Sequence, residues 1–137
     1  GRGPFLPLAG GRVLPIPQVP VTLPTLDEEL GRRGLTAEGF TMMVLSSLVP
    51  GAPNVFTAHA EAEGRVYLRP FEDLLDRAGA EGWSWVPLGE VIPREIPSLP
   101  VCPVERALLP GRAGAVSVQG DAVPGERGAS TGTGPGA

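Results

Sequence analysis

The stretch Asn54-Val-Phe-Thr-Ala-His59-Ala-Glu61-Ala-Glu63-Gly64 holds the only histidine of the chain, set just beyond an apolar run and followed by two carboxylates. Histidine is the one side chain whose ordinary pKa lies between pH 5 and 8, so proton transfer near neutrality points first to His59. Glu61 and Glu63 have three readings. They orient the imidazole, raise its pKa through their charge, or sit in the loop as solvated carboxylates, and for either one alone the last is the commoner outcome. One histidine and one cysteine, Cys102, fall short of the three protein ligands of a typical catalytic zinc, unless carboxylates fill most of the site. Cys102 lies close to Pro100 and Pro103 with no base or second ligand nearby, and reads as a buried thiol. The acidic run Asp27-Glu28-Glu29 fits helix-start carboxylates that complement the dipole better than it fits ligation. Trp83 and Trp85 alternate, as a sugar-stacking pair would, but at least one ring is expected in the core.

The elements that must position these residues are unevenly legible. The chain of 137 residues allows one modest domain, and its 20 glycines and 17 prolines crowd the first 24 and last 40 positions, so the middle is the expected folded part. Residues 1–19 read as loop, with 1–16 loosely held. In 19–25, Pro20 and Pro24 each remove a ladder donor, leaving an edge strand or an extended segment. Thr25, with Glu28 three residues on, opens a short helix that Gly31 and Gly34 end. Thr36 opens a second helix, with Phe40, Met43, Val44 and Leu48 on one face and Pro50-Gly51 as its stop. Residues 54–58 suit a buried parallel strand, 69–78 an amphipathic helix and 83–88 a further strand. Strand, helix, strand over 54–88 is the pattern of a βαβ crossover in an α/β fold. One more helical turn is expected at 89–92, no consistent period is visible over 97–118, and 121–137 reads as a disordered tail after a domain spanning 1–120.

Composition excludes several function classes. The net charge is −4, every basic residue is arginine and no basic cluster exists, so nucleic acid is excluded as a partner. Without lysine there is neither a Walker A site nor Schiff-base chemistry. A single cysteine excludes an internal disulfide. The best apolar run, 40–49, is too short for a transmembrane segment.

Four segments in order then resemble one family. Pro17-Gln18-Val19-Pro20-Val21-Thr22-Leu23-Pro24-Thr25-Leu26-Asp27-Glu28 is similar to the Pro-Gln-Ile-Pro-Val-Thr-Leu-Pro-Thr-x-Asp-Glu run of undecaprenyl-phosphate formamido-arabinose deformylases, within the NodB-type polysaccharide deacetylase family. His59-Ala60-Glu61-Ala62-Glu63-Gly64 resembles their His-Ala-Glu-Val-Glu-Gly motif, and Val86-Pro87-Leu88-Gly89-Glu90 their Pro-Leu-Ser-Glu segment. Gly111-Arg112-Ala113-Gly114 through Gln119 resembles their terminal motif, with Ala113 and Ala115 where the family has Glu and Trp. The resemblance covers about 1–119.

That resemblance implies the C-terminal portion of an irregular NodB-type (β/α) barrel. The family's catalytic aspartate, its metal-binding Asp-His-His set and its Asp-x-Arg-Gly motif all precede the matching region, and Gly1 aligns with the glycine closing the last of these. The complete enzyme is then a divalent-metal-dependent hydrolase that removes a formyl or acetyl group from an amino sugar, and the isolated chain is expected to be inactive. In the family mechanism a histidine protonates the leaving sugar nitrogen, a role that falls on His59. By the same resemblance Glu61 tunes or contacts the site, and Thr22 and Thr25 line the substrate groove through backbone groups left unpaired by the prolines. The metal ligands fall outside this chain. The implied partner is an amino-sugar or lipid-linked sugar substrate, with a cytoplasmic location and contact with the inner-membrane surface through the lipid. The alternatives are a non-catalytic remnant and a small glycan- or protein-binding module.

Overall fold

The computed structural model describes residues 2–30, 34–109 and 114–125, the side chain of Asp27 excepted. A hairpin opens the chain, with β1 at Leu6–Ala9 and β2 at Arg12–Val13. Gly10 and Gly11 form its two-residue turn, both at positive φ (56° and 72°), a backbone that L side chains rarely adopt and that matches the twist of paired strands. The expected loop over 1–19 is therefore corrected: Phe5 and Leu6 are buried and β1 lies inside a sheet. The adjoining pair β3 (Val101–Leu108) and β4 (Ala115–Gln119) completes that sheet in the order β2-β1-β3-β4. β1 runs parallel to β3, with Leu6 opposite Val101, and β3 runs antiparallel to β4.

The helical layer comes from the middle of the chain. α1 is a single turn, Leu26–Glu29, and α2 spans Ala37–Ser47 behind Thr36, whose hydroxyl accepts the amide N–H of Gly39 at 3.1 Å. α3, Leu68–Ala80, follows a π-helical turn at Ala62–Val66. Leu23 and Leu26 pack with Phe40, Val44 and Leu45 of α2 and with Leu74 and Ala78 of α3 into one core, and Leu6, Leu99 and Val101 form a smaller one against the sheet. The helices read at 36–48 and 69–78 are thus present, as is a 3-10 turn at Leu88–Val91.

The mixed α/β class holds, but the βαβ unit does not form. Residues 54–58 are extended without joining a ladder, because the segment alongside them contains Pro20 and Pro24, and its backbone reaches them through the amides of Thr22 and Leu23, both at 3.1 Å to the carbonyl of Val55. Residues 83–88 are not a strand either. The amide of Trp83 still bonds to the carbonyl of Ala78 at the end of α3, and 84–88 is exposed, with no second layer to cover it. The sheet forms instead from the Gly/Pro-rich flanks. Of the expected tail, 121–125 follows the sheet, with the amide of Val123 bonded to the carbonyl of Val101 at 2.9 Å and Arg2 paired with Asp121. Residues 126–137 lie outside the described residues.

Gly120 closes β4 against β3 through its amide bond to the carbonyl of Pro103 at 2.9 Å. A Cβ there would stand 2.5 Å from Oε1 of Glu105 and 2.7 Å from Cγ of Pro103. The glutamate can swing aside, but the proline ring cannot. Gly120→Ala is expected to cost about 1–3 kcal/mol, read as a lower urea-unfolding midpoint at unchanged slope.

Candidate functional site

His59 stands at the end of the extended segment that leaves α2. Asn54 ties down the start of that segment, accepting the amide of Val49 at 2.9 Å and donating to the carbonyls of Val49 and Ala52 at 3.0 and 3.2 Å. Thr22 fixes the next residues: its hydroxyl accepts the amide of Val55 at 2.7 Å and donates to the carbonyl of Pro53 at 3.4 Å. The Thr22 side chain is therefore a staple between the two extended segments. The groove-wall expectation for 22–25 is corrected to that extent, since the amides of Thr22 and Leu23 are spent on Val55 and do not face a groove.

The chain turns sharply at His59. Its carbonyl accepts the amides of Ala62 and Glu63, both at 2.9 Å, and its own amide donates to Oε2 of Glu63 at 2.7 Å. The amide of Tyr67 then reaches the carbonyl of Ala62 at 3.0 Å, giving the wide π turn that leads into α3. Turns of this kind are rare and concentrate at functional sites. His59 itself is half-buried, with Nδ1 of its ring buried.

The two carboxylates behind His59 have opposite fates. Glu61 is exposed at the start of the π turn, whereas Glu63 is only 2% exposed. Glu63 borders a void of about 10 Å3 lined by Leu26, Phe40, Phe56, Pro70, Phe71 and Leu74, at the lower limit for one water. The solvated reading holds for Glu61 and is overturned for Glu63. A usable signal was present in the sequence: a carboxylate four residues after a turn-opening residue can reach back to that residue's amide, much as in a capping box.

A cleft of about 450 Å3 opens between residues 18–25 and the β3–β4 pair, with Phe5, Val21, Leu23, Val104 and Val118 among its walls. Thr25 and Glu28 also face it. Thr25 occupies the cap position of α1, as expected, but makes no side-chain cap bond; its hydroxyl is buried, 4% exposed, and has no hydrogen-bond partner among the described residues. Such a hydroxyl is costly unless something pairs with it; Gln18, Glu28, Ser117 and Gln119 are the other polar residues lining the cleft.

The other candidates resolve simply. Cys102 is buried, with Sγ 3.5 Å from Nε2 of Gln119. Trp83 packs on the helical core and Trp85 is 50% exposed, so the two rings do not form a platform on a strand. No three His, Cys, Asp or Glu side chains come together to hold a metal ion among the described residues. Residues 111–113 of the terminal motif lie outside the described residues, and its remainder is β4.

In sequence the chain is related to deformylases of the NodB type. Among its relatives is the probable 4-deoxy-4-formamido-L-arabinose-phosphoundecaprenol deformylase ArnD of Wigglesworthia glossinidia brevipalpis, 34% identical over 121 residues, which is 87% of this chain and 42% of that protein. The protein of the same name from Shewanella sediminis is 33% identical over 119 residues, 87% of this chain and 38% of its own length. The chain thus spans about two fifths of the length of the curated relatives it matches. No family model matches it.

Proposed function

We propose that this chain carries the proton-donating side of an N-deformylase site whose substrate is an amino sugar, the undecaprenyl-phosphate-linked formamido-arabinose of its relatives' names. The observation that supports this best is the placement of His59, the chain's one histidine, half-exposed on a turn whose backbone is bonded at both its amide and its carbonyl. Hydrolysis adds water to the formyl carbon and breaks the C–N bond, giving formate and a free amine. The nitrogen leaves readily only if it is protonated as the bond breaks, since an amide anion is a very poor leaving group. His59 supplies that proton. Glu61, at the exposed entrance of the turn, adds negative charge near the sugar.

The divalent metal that the resemblance implies does not fit the described residues, which offer no ligand cluster. In this reading its ligands come from the remainder of the complete protein, the chain's own contribution is the proton, and the isolated chain is inactive. In this reading the lipid-linked substrate is met at the inner-membrane surface, on its cytoplasmic side. No helix among the described residues is long and apolar enough to cross a membrane.

The test is formate release by the complete protein from undecaprenyl-phosphate 4-formamido-arabinose, with one amine formed per formate. Preferential release of acetate from the acetamido analogue would move the substrate to N-acetyl sugars. Release of neither by a folded protein would leave the non-catalytic binding module as the better account.

A further inference from the structure

Glu63 is a carboxylate in an apolar setting, and the fold uses it. Its own amide donates to the carbonyl of His59 at 2.9 Å while its Oε2 accepts the amide of His59 at 2.7 Å, so residues 59 and 63 are joined twice and the turn between them is a closed unit. The side chain is 2% exposed and borders the small void that Leu26 of α1, Phe40 of α2 and Phe71 and Leu74 of α3 also line, with Oε1 buried and without a hydrogen-bond partner among the described residues. A side chain locked by packing on one side and bonded to a backbone on the other transmits the position of the core to that backbone. Nothing on the solvent side of the turn does this, because Ala60, Glu61 and Gly64 are all exposed.

We propose that Glu63 is a positioning residue that sets where the imidazole of His59 stands relative to the substrate, by fixing the His59 backbone to the α1–α2–α3 core. The inference rests on the proton-donor reading of His59. With amide and carbonyl held, the backbone from which the ring projects is fixed. Releasing the amide adds backbone freedom, and displacement of a catalytic group by roughly 1 Å can cost about 100-fold in rate. The bond also has a local cost if broken, since it leaves the His59 amide to find another acceptor.

Two substitutions separate this role from simple packing. Glu63→Met keeps the length and volume of the side chain in apolar surroundings but removes the acceptor. Glu63→Gln keeps an acceptor oxygen for the His59 amide. In the complete protein, assayed on the formamido sugar, Glu63→Met is expected to lower kcat about 10- to 100-fold with KM within roughly twofold, as expected when a reacting group is misplaced and the binding contacts are left alone. Glu63→Gln should stay within about threefold of the parent kcat even if its buried amide lowers Tm. A purely structural role would lower Tm in both variants and leave kcat per folded molecule unchanged, which would overturn the proposal. His59→Ala is run alongside. If it retains turnover, the proton-donor reading itself fails; if it abolishes turnover while Glu63→Met behaves like the parent, only the positioning role is lost. Should Glu63→Met not fold, amide hydrogen exchange in the unsubstituted protein decides: protection of the His59 amide comparable to the interior of α3 supports the anchor, and exchange at the rate of the exposed turn residues refutes it.

Discussion

His59→Ala in the complete protein is expected to lower kcat by about two to four orders of magnitude, the usual worth of a general acid, with little change in Tm. The separation of the two readouts follows from the structure. What folds at position 59 is the backbone, whose amide meets Glu63 and whose carbonyl meets Ala62 and Glu63, and alanine keeps all three bonds. The imidazole is half-buried and is not part of either hydrophobic core. Formate release under saturating substrate, beside a thermal melt, checks both halves. Unfolding with turnover per folded molecule intact would show the ring to be structural. Glu61→Gln is expected to have a much smaller effect, because that carboxylate is exposed and charge effects through solvent are screened.

The largest loss of stability is expected from Leu74→Ala. Leu74 is 2% exposed on the inner face of α3, among the fully buried side chains that join α3 to α2 and to Leu26. Truncating a buried leucine typically costs about 2–5 kcal/mol, the range reflecting how far the surroundings collapse. Here collapse is restricted by Phe40, Phe56 and Phe71, whose ring centroids lie 6.2 Å apart in two successive pairs. The vacated volume would adjoin the void beside Glu63, so the anchor of His59 should loosen and kcat fall with stability. Leu68→Ala provides the contrast on the same helix: Leu68 is exposed, and its removal should change stability by no more than about 0.5 kcal/mol. Urea unfolding of the two variants measures the difference, and equal midpoints would contradict this account of the core.

The elements read correctly from the sequence are those whose causes are local. α2 announces itself through the Thr36 cap and through Phe40, Val44 and Leu48 at helical spacing, and α3 through an amphipathic face that buries Leu74 and Ala78. Strands depend on partners, and there the reading failed in both directions. The apolar run 54–58 has the composition of a strand, but its neighbour lacks donors at Pro20 and Pro24, and the amides of Thr22 and Leu23 converge on a single carbonyl, that of Val55, instead of forming a ladder. Conversely, β1 pairs with β3 across more than ninety positions, a register that no local window contains. The Gly10-Gly11 turn between alternating segments was a legible hairpin signal, obscured by the surrounding prolines.

Residue types pointed proton transfer first to His59 and exclude lysine chemistry within this chain, and the order of the motifs pointed to deformylases as its relatives. These conclusions depend on which side chains exist and in what order, which folding cannot change. The choice between Glu61 and Glu63 was of another kind. Both follow the same histidine within one turn, and their spacing does not say which faces inward. Burial is decided by what packs against the turn, here Leu26, Phe40, Phe71 and Leu74, contributed by three helices. Only once those helices are assembled does Glu63 become the buried anchor, Glu61 the solvated charge, Thr22 a staple and Thr25 a buried hydroxyl in the wall of the cleft.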